Sequence, residues 1–251
     1  MSSTEAQIFE IFSSIQGEGI YIGDRHIFIR FSGCNLACEY CDTDARLLTS
    51  VCKIEEIPGS HHFTNYNNPL TSAKLIEFIN VLDKGKNIHS AICLTGGEPL
   101  LQVDFLKGFL KDIAHLNFLS YLETNGTLPD RLQEIIENID IVALDIKLPS
   151  ATGLSSYLIE SAKSLKIAKS KEVFVKVIFS KETPGIEIIE AAKLVANIDD
   201  KIPFVLQPVT PYGVVKHRPN PEEILSFQAI ASKYLKNVKV IPQAHKIMSL
   251  N

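Results

Sequence analysis

Short apolar runs alternate with stretches in which apolar residues recur every three or four positions, and this alternation fills most of the chain. Ile8-Phe-Glu-Ile-Phe12 alternates as a strand does, and His26-Ile-Phe-Ile-Arg-Phe-Ser32 is β-branched and aromatic, as a buried strand is. From Thr71 the pattern is regular. Leu75, Ile76, Ile79 and Leu82 share one helical face, with Thr71 or Ser72 as its cap. Strands are predicted at 90–94, 119–122, 141–144, 173–179, 204–206 and 238–241. Helices fall between them, the last one led by Pro221. Such alternation makes a parallel sheet with right-handed crossovers, its strands covered on both faces. At least six β/α units predict an α/β fold, a partial (β/α)6 TIM-like barrel. No linker or repeat divides residues 1–251, which read as one domain. The stretch from about 46 to 70 lacks periodicity and reads as a loop insertion of the functional or mobile kind.

The unusual residues lie at strand ends. Cys34, Cys38 and Cys41 are spaced C-x3-C-x2-C on a loop that Gly33 opens directly after a strand. Three thiolates so close can hold a [4Fe–4S] cluster by three irons and leave the fourth open. A closed cluster or a closed zinc site needs a fourth protein ligand. Cys93 sits in an apolar run and reads as a small core residue, whereas Cys52, His61 and His62 are within loop reach. The spacing, with Tyr40 before the last cysteine, resembles that of radical S-adenosylmethionine (SAM) enzymes. Thr95-Gly96-Gly97-Glu98-Pro99, Glu123-Thr-Asn-Gly126, Asp145-Ile146-Lys147, Gln207-Pro208 and Pro242-Gln-Ala-His-Lys246 close other strands. In a β/α barrel all of them meet at the C-terminal rim, where active sites form. Each also has a plain structural reading. Glu98 suits a helix N-terminus, Asn125-Gly126 a turn, and Asp145 with Lys147 an ion pair. Gln16-Gly17-Glu18-Gly19 is a hairpin turn that carries more hydrogen-bonding groups than a turn needs. Arg30, inside an apolar strand with no acid in its own segment, is costly if it faces inward unless a ligand carboxylate pairs with it.

Composition narrows the setting. Hydrophobic content of 45% and charged content of 22% are those of a globular protein. A net charge of −4 without any Lys/Arg run argues against a nucleic-acid partner. No apolar run is long enough to span a bilayer, so no membrane partner is expected. The first residues lack a secretory signal, and five cysteines, three of them clustered, are not a disulfide framework. An exposed cluster requires a reducing compartment, so a cytoplasmic location is expected.

Together, Ile15-Gln-Gly-Glu-Gly19, the Arg30 strand, Phe31-Ser-Gly-Cys-Asn-Leu36, Cys41-Asp-Thr43, Thr95–Pro99, Leu122-Glu-Thr-Asn-Gly126, Gln207-Pro208 and Gln243-Ala-His-Lys246 resemble the 7-carboxy-7-deazaguanine synthase family. The resemblance implies a barrel of the radical SAM type and conversion of 6-carboxy-5,6,7,8-tetrahydropterin to 7-carboxy-7-deazaguanine with loss of ammonia, on the route to queuosine. It implies a [4Fe–4S] cluster, SAM and Mg²⁺ as cofactors, a homodimer, and an electron donor such as flavodoxin or ferredoxin. Carried over by position, Cys34, Cys38 and Cys41 hold the cluster and Thr43 the Mg²⁺. Tyr40, Cys41, Asp42, Gly97, Glu98, Glu123, Asp145, Ile146, Lys147, Gln207, Pro208, Val209 and Thr210 would meet SAM. Ile15, Gln16, Gly17, Glu18, Arg30, Thr95, His245 and the terminal Asn251 would meet the substrate. Two rivals remain at this stage. A glycyl-radical-enzyme activase would share the cysteines and Thr95–Pro99 but not Gln16–Glu18. A zinc or electron-transfer module would use Cys52 as its fourth ligand.

Overall fold

The computed structural model describes residues 4–84 and 87–250. Its strands in chain order are β1 Glu5–Ala6, β2 Ile8–Ile15, β3 Arg25–Phe31, β4 Val51–Glu55, β5 Phe63–Asn67, β6 Leu70–Thr71, β7 Ala91–Gly96, β8 Leu119–Thr124, β9 Ile141–Ile146, β10 Glu172–Phe179, β11 Phe204–Pro208 and β12 Val238–Val240. Helices α1 Ser72–Asp83, α2 Val103–Ile113, α3 Pro129–Ile135, α4 Pro149–Thr152, α5 Leu158–Ala168, α6 Gly185–Ala196, α7 Pro221–Ala231 and α8 Ala244–Ile247 connect or follow them.

The large sheet runs β12-β11-β10-β9-β8-β7-β3-β2-β4-β5. From β3 to β12 every neighbouring pair is parallel, as the strand-helix alternation predicts. Strand β2 pairs antiparallel with β3, which makes Gln16–Asp24 the connection of a hairpin. Helix α1 is capped as expected: the Thr71 hydroxyl accepts from Lys74 N at 3.3 Å. Helix α7 carries a capping box between Asn220 and Glu223 ahead of Pro221.

The stretch 46–70 is not an irregular loop. Strands β4 and β5 form an antiparallel hairpin around Pro58-Gly59, and β4 pairs parallel with β2, so the segment widens the sheet. The pattern is faint because this edge hairpin has one wet face: Lys53, Thr64, Asn65 and Asn67 are exposed while Cys52 and Ile54 are buried.

Period-two geometry sorts each central strand. Ile27, Ile29 and Phe31 of β3, Ile92 and Leu94 of β7, Val142, Leu144 and Ile146 of β9, and Val175 and Val177 of β10 pack in the larger core with the helices. The alternate residues pack in a second cluster inside the curved sheet: Phe28, Cys93, Tyr121, Ala143, Phe174 and Val205. One inward position further toward the C-terminal end, the same strands present Arg30, Thr95, Glu123, Asp145, Lys176 and Gln207. The barrel interior is thus an apolar floor beneath a polar layer.

Candidate active site

Two cavities lie over that floor and share a wall. The first, about 910 Å³, is bordered by Cys34, Cys38 and Cys41, and also by Tyr40, Gly97, Asp145, Lys147, Gln207, Val209 and Thr210. The second, about 1000 Å³, is bordered by Ile15, Gln16, Gly17 and His245, with Glu10 and Lys246. Glu18, Arg30, Asp42, Thr43, Thr95, Glu123 and Gln243 border both. The residues assigned to SAM and those assigned to substrate therefore fall largely into separate, adjoining cavities.

The cysteine loop is braced by backbone. Gly33, at φ +94°, turns the chain out of β3, and its N–H donates to Ala45 O at 2.7 Å. Cys34 N donates to Arg46 O, and Glu98 N to Gly33 O. A Cβ on Gly97 would stand 2.0 Å from Gly33 O, so only glycine lets the two strand ends meet this closely. Burial pushes the thiols of Cys34 and Cys38 up, with Lys147 opposing the shift.

Three soft ligands at one rim, with no fourth beside them among the described residues, suit an open cluster. Cys52 is fully buried in the large core, its thiol pushed up to about 12 by burial, and Cys93 is fully buried within the apolar floor. Among the described residues no three His, Cys, Asp or Glu side chains converge on a single-ion site. The cavity beside the thiols fits SAM chemically. Gln207 Oε1 is buried there without a hydrogen-bond partner, and Asp145 Oδ1 has only the Lys176 ammonium at 3.3 Å. The amide oxygen is an acceptor, so an occupant must bring a donor, as ribose hydroxyls and amino groups do.

The connection after β2 crosses the barrel interior. Gln16 Nε2 donates to Glu123 Oε1 at 3.1 Å, and Thr95 Oγ1 donates to Glu123 Oε2 at 2.7 Å. Glu18 Oε1 accepts from Gln243 at 2.8 Å, and its Oε2 meets Lys176. Lys176 stands 3.3 Å from Asp145 Oδ1, and Asp145 Oδ2 accepts from Lys147 at 2.8 Å. Lys147 in turn donates to the Tyr40 hydroxyl at 3.1 Å. A line of alternating charge thus joins the second cavity to the cysteine loop. It holds Glu18 at about 2, against the upward push of burial, and pushes Lys176 up. The C-terminal segment closes one side. Ala244 N donates to Gly17 O, Lys246 pairs with Asp42 at 2.8 Å, and His245 packs on Gly17, leaving no room there for a Cβ.

Several assignments change. Arg30 is not without an acid: β2 and β3 align it opposite Glu10, whose Oε1 accepts from Arg30 Nε at 2.7 Å. The guanidinium also lies 5.5 Å from the Phe12 ring centre. Its two terminal nitrogens find no acceptor among the described residues, and Arg30 borders both cavities. Glu98 borders neither cavity. It is fully buried and accepts from Leu100 N, Asn125 N and Thr124 Oγ1, and burial pushes its carboxyl up to about 7. Ile146 points into the large core, as its position between inward Asp145 and Lys147 requires. Pro208 borders a separate cavity with Arg218 and Ile247. Asn251 lies outside the described residues. Glu10 and Lys176 had no motif to mark them; only strand pairing reveals their place.

A rim of three cysteines on a parallel barrel, beside a cavity that asks for hydrogen-bond donors, is the architecture of a radical SAM protein. The radical SAM superfamily model matches residues 28–158. The chain is 39% identical over 249 residues to 7-carboxy-7-deazaguanine synthase of Geobacter sulfurreducens, covering 99% of each chain. It is 34% identical to the synthase of the same name from Methanocaldococcus jannaschii, over 97% of this chain and 99% of that one. In structure it is similar to QueE from Escherichia coli, with TM-score 0.61 and 21% identity over 97% of this chain and 96% of the other. It is also similar to Streptococcus suis SuiB bound to S-adenosylmethionine, with TM-score 0.56 and 15% identity over 86% of this chain and 51% of the other. The chain belongs to the 7-carboxy-7-deazaguanine synthase family of the radical SAM superfamily.

Proposed function

We propose that this chain converts 6-carboxy-5,6,7,8-tetrahydropterin to 7-carboxy-7-deazaguanine with loss of ammonia, in queuosine biosynthesis. The observation that carries the reading is the thiol-rimmed cavity opening beside a second cavity across a shared wall that holds Arg30, Thr43 and Glu123. Cys34, Cys38 and Cys41 would hold a [4Fe–4S] cluster, with SAM over Tyr40, Asp145, Lys147, Gln207 and Thr210. Bound there, the two would supply reductive cleavage of a sulfonium C–S bond and hydrogen-atom abstraction from the substrate.

This chain's own residues do the placing. The terminal nitrogens of Arg30 take the substrate carboxylate as a two-pronged donor. Gln16 and Glu123, locked to each other, form a fixed polar wall against which the heterocycle lies. The Thr43 hydroxyl, on the shared wall, would be one ligand for Mg²⁺, an ion that needs few protein ligands. His245 and the segment around it form one wall of the second cavity. A cavity of this size, narrowed on one side by the C-terminal segment, suits a small molecule better than the protein loop that a glycyl-radical-enzyme activase must admit. The working form is a cytoplasmic homodimer fed by a one-electron donor such as flavodoxin or ferredoxin.

Anaerobic incubation of the reconstituted protein with SAM, reductant, Mg²⁺ and the carboxytetrahydropterin, read by mass spectrometry, tests the proposal. The expected result is a product lighter by one ammonia. SAM cleavage without that product would reject the assigned substrate.

A further inference from the structure

Four carboxylates border the second cavity: Glu10, Glu18, Asp42 and Glu123. Glu18 spends its oxygens on Gln243 and Lys176, and Glu123 spends its own on Gln16 and Thr95. Asp42 sits next to Cys41 and is turned to Lys246 through Oδ2. Glu10 gives Oε1 to Arg30 Nε, while its Oε2 has no hydrogen-bond partner among the described residues. The Glu10 side chain is 16% exposed and that of Arg30 20%. Both are therefore reachable from the cavity yet shielded from bulk water. Strand register fixes them side by side, Glu10 opposite Arg30.

The pair offers cationic donors and an anionic acceptor at one spot. A bare carboxylate ligand satisfies only the first. The ligand that satisfies both carries a carboxylate on the carbon next to an N–H. We infer that Glu10 is a specificity-determining residue that accepts the ring N–H adjacent to the substrate carboxylate, and so selects the reduced pterin over the oxidised one. The inference rests on the pterin reading above. In 6-carboxy-5,6,7,8-tetrahydropterin the nitrogen beside the carboxylate-bearing carbon is N5, which bears a hydrogen. In 6-carboxypterin N5 is an imine nitrogen with a lone pair, which faces the lone pairs of Glu10 and is repelled. Arg30 reads the carboxylate in both molecules and does not discriminate. A hydrogen bond to a charged partner, set against a buried unmatched acceptor pair, discriminates by roughly tenfold or more.

Glu10→Gln is the informative substitution, because the amide keeps one oxygen for Arg30 Nε and offers an NH₂ where Oε2 stood. Both pterins are titrated anaerobically by equilibrium binding into cluster-loaded wild type, Glu10→Gln and Glu10→Ala, with melting temperature and iron content as controls on folding. Wild type is expected to prefer the reduced pterin by roughly tenfold or more, and Glu10→Gln to lose that preference by gaining affinity for 6-carboxypterin. Glu10→Ala is expected to weaken both ligands, since Arg30 loses its brace. An unchanged preference in a folded Glu10→Gln protein would overturn the role of Glu10. Failure of wild type to bind either pterin would instead reject the substrate assignment itself.

Discussion

Replacing Lys176 with Met tests the buried charge line directly. Its side chain is 7% exposed, and its ammonium meets the side chains of Glu18, 16% exposed, and Asp145, 17% exposed. Met fills a similar volume but leaves two carboxylates facing each other in a shielded interior. Asp145 retains Lys147, and Glu18 retains only Gln243 as a direct hydrogen-bond partner. Removing one member of a buried ion pair typically costs about 3–5 kcal/mol. In a chain of this size each kcal/mol shifts the melting temperature by about 2–4 °C, so a fall of roughly 6–20 °C is expected at pH 7.

The pH dependence carries the sign. In wild type the Glu18 carboxyl is held at about 2, below its ordinary 4.5, so its contribution is complete above pH 4.5 and is lost as the pH falls toward 2. Without Lys176, burial is the leading influence and pushes that carboxyl up. The variant then gains from protonation on acidification, while wild type begins to lose its ion pair. Melting curves from pH 4 to 8 should show the gap between the two proteins narrowing as pH falls. A gap that is constant with pH, or a variant as stable as wild type at pH 7, would refute the ion-pair account of Lys176.

Arg30→Lys keeps the charge but loses the fork; pterin affinity should fall about tenfold or more while iron content and SAM binding hold, and a pterin lacking the carboxylate should barely distinguish the two proteins. Cys38→Ala should lose the cluster and Cys52→Ala should keep about four irons per chain, as measured by iron and sulfide assay. Loss of iron in a folded Cys52→Ala protein would return Cys52 to the ligand set. Gly17→Ala puts a Cβ 2.2 Å from His245 Nδ1, so the C-terminal segment must shift; KM for the pterin should rise by roughly tenfold with melting temperature little changed.

Motif and periodicity reveal the sheet order's parallel half and the strand ends that meet, because a buried parallel strand is apolar on both faces and its polar tip stands out. They are blind to side-chain parity at the tip. Asp145-Ile146-Lys147 reads as one unit in the chain, yet a period of two sends Asp145 and Lys147 to the cavity and Ile146 to the helices. The same rule explains Glu98, which lies past the end of β7, where the chain has already left the inward alternation and its carboxylate closes on Leu100, Thr124 and Asn125 instead. Lys176 looks like a solvent-facing residue of Val175-Lys176-Val177, and the partners that make it internal lie on β9 and on a connection 158 positions away. Glu10, between Phe9 and Ile11, is equally plain until the regular β2–β3 ladder, whose irregularity lies just beyond it toward Ile8, sets it opposite Arg30. A one-residue change of that register would turn Glu10 to the helices and leave Arg30 a cation without its brace. The recognition pair is therefore a property of the hairpin's register as much as of its two residues.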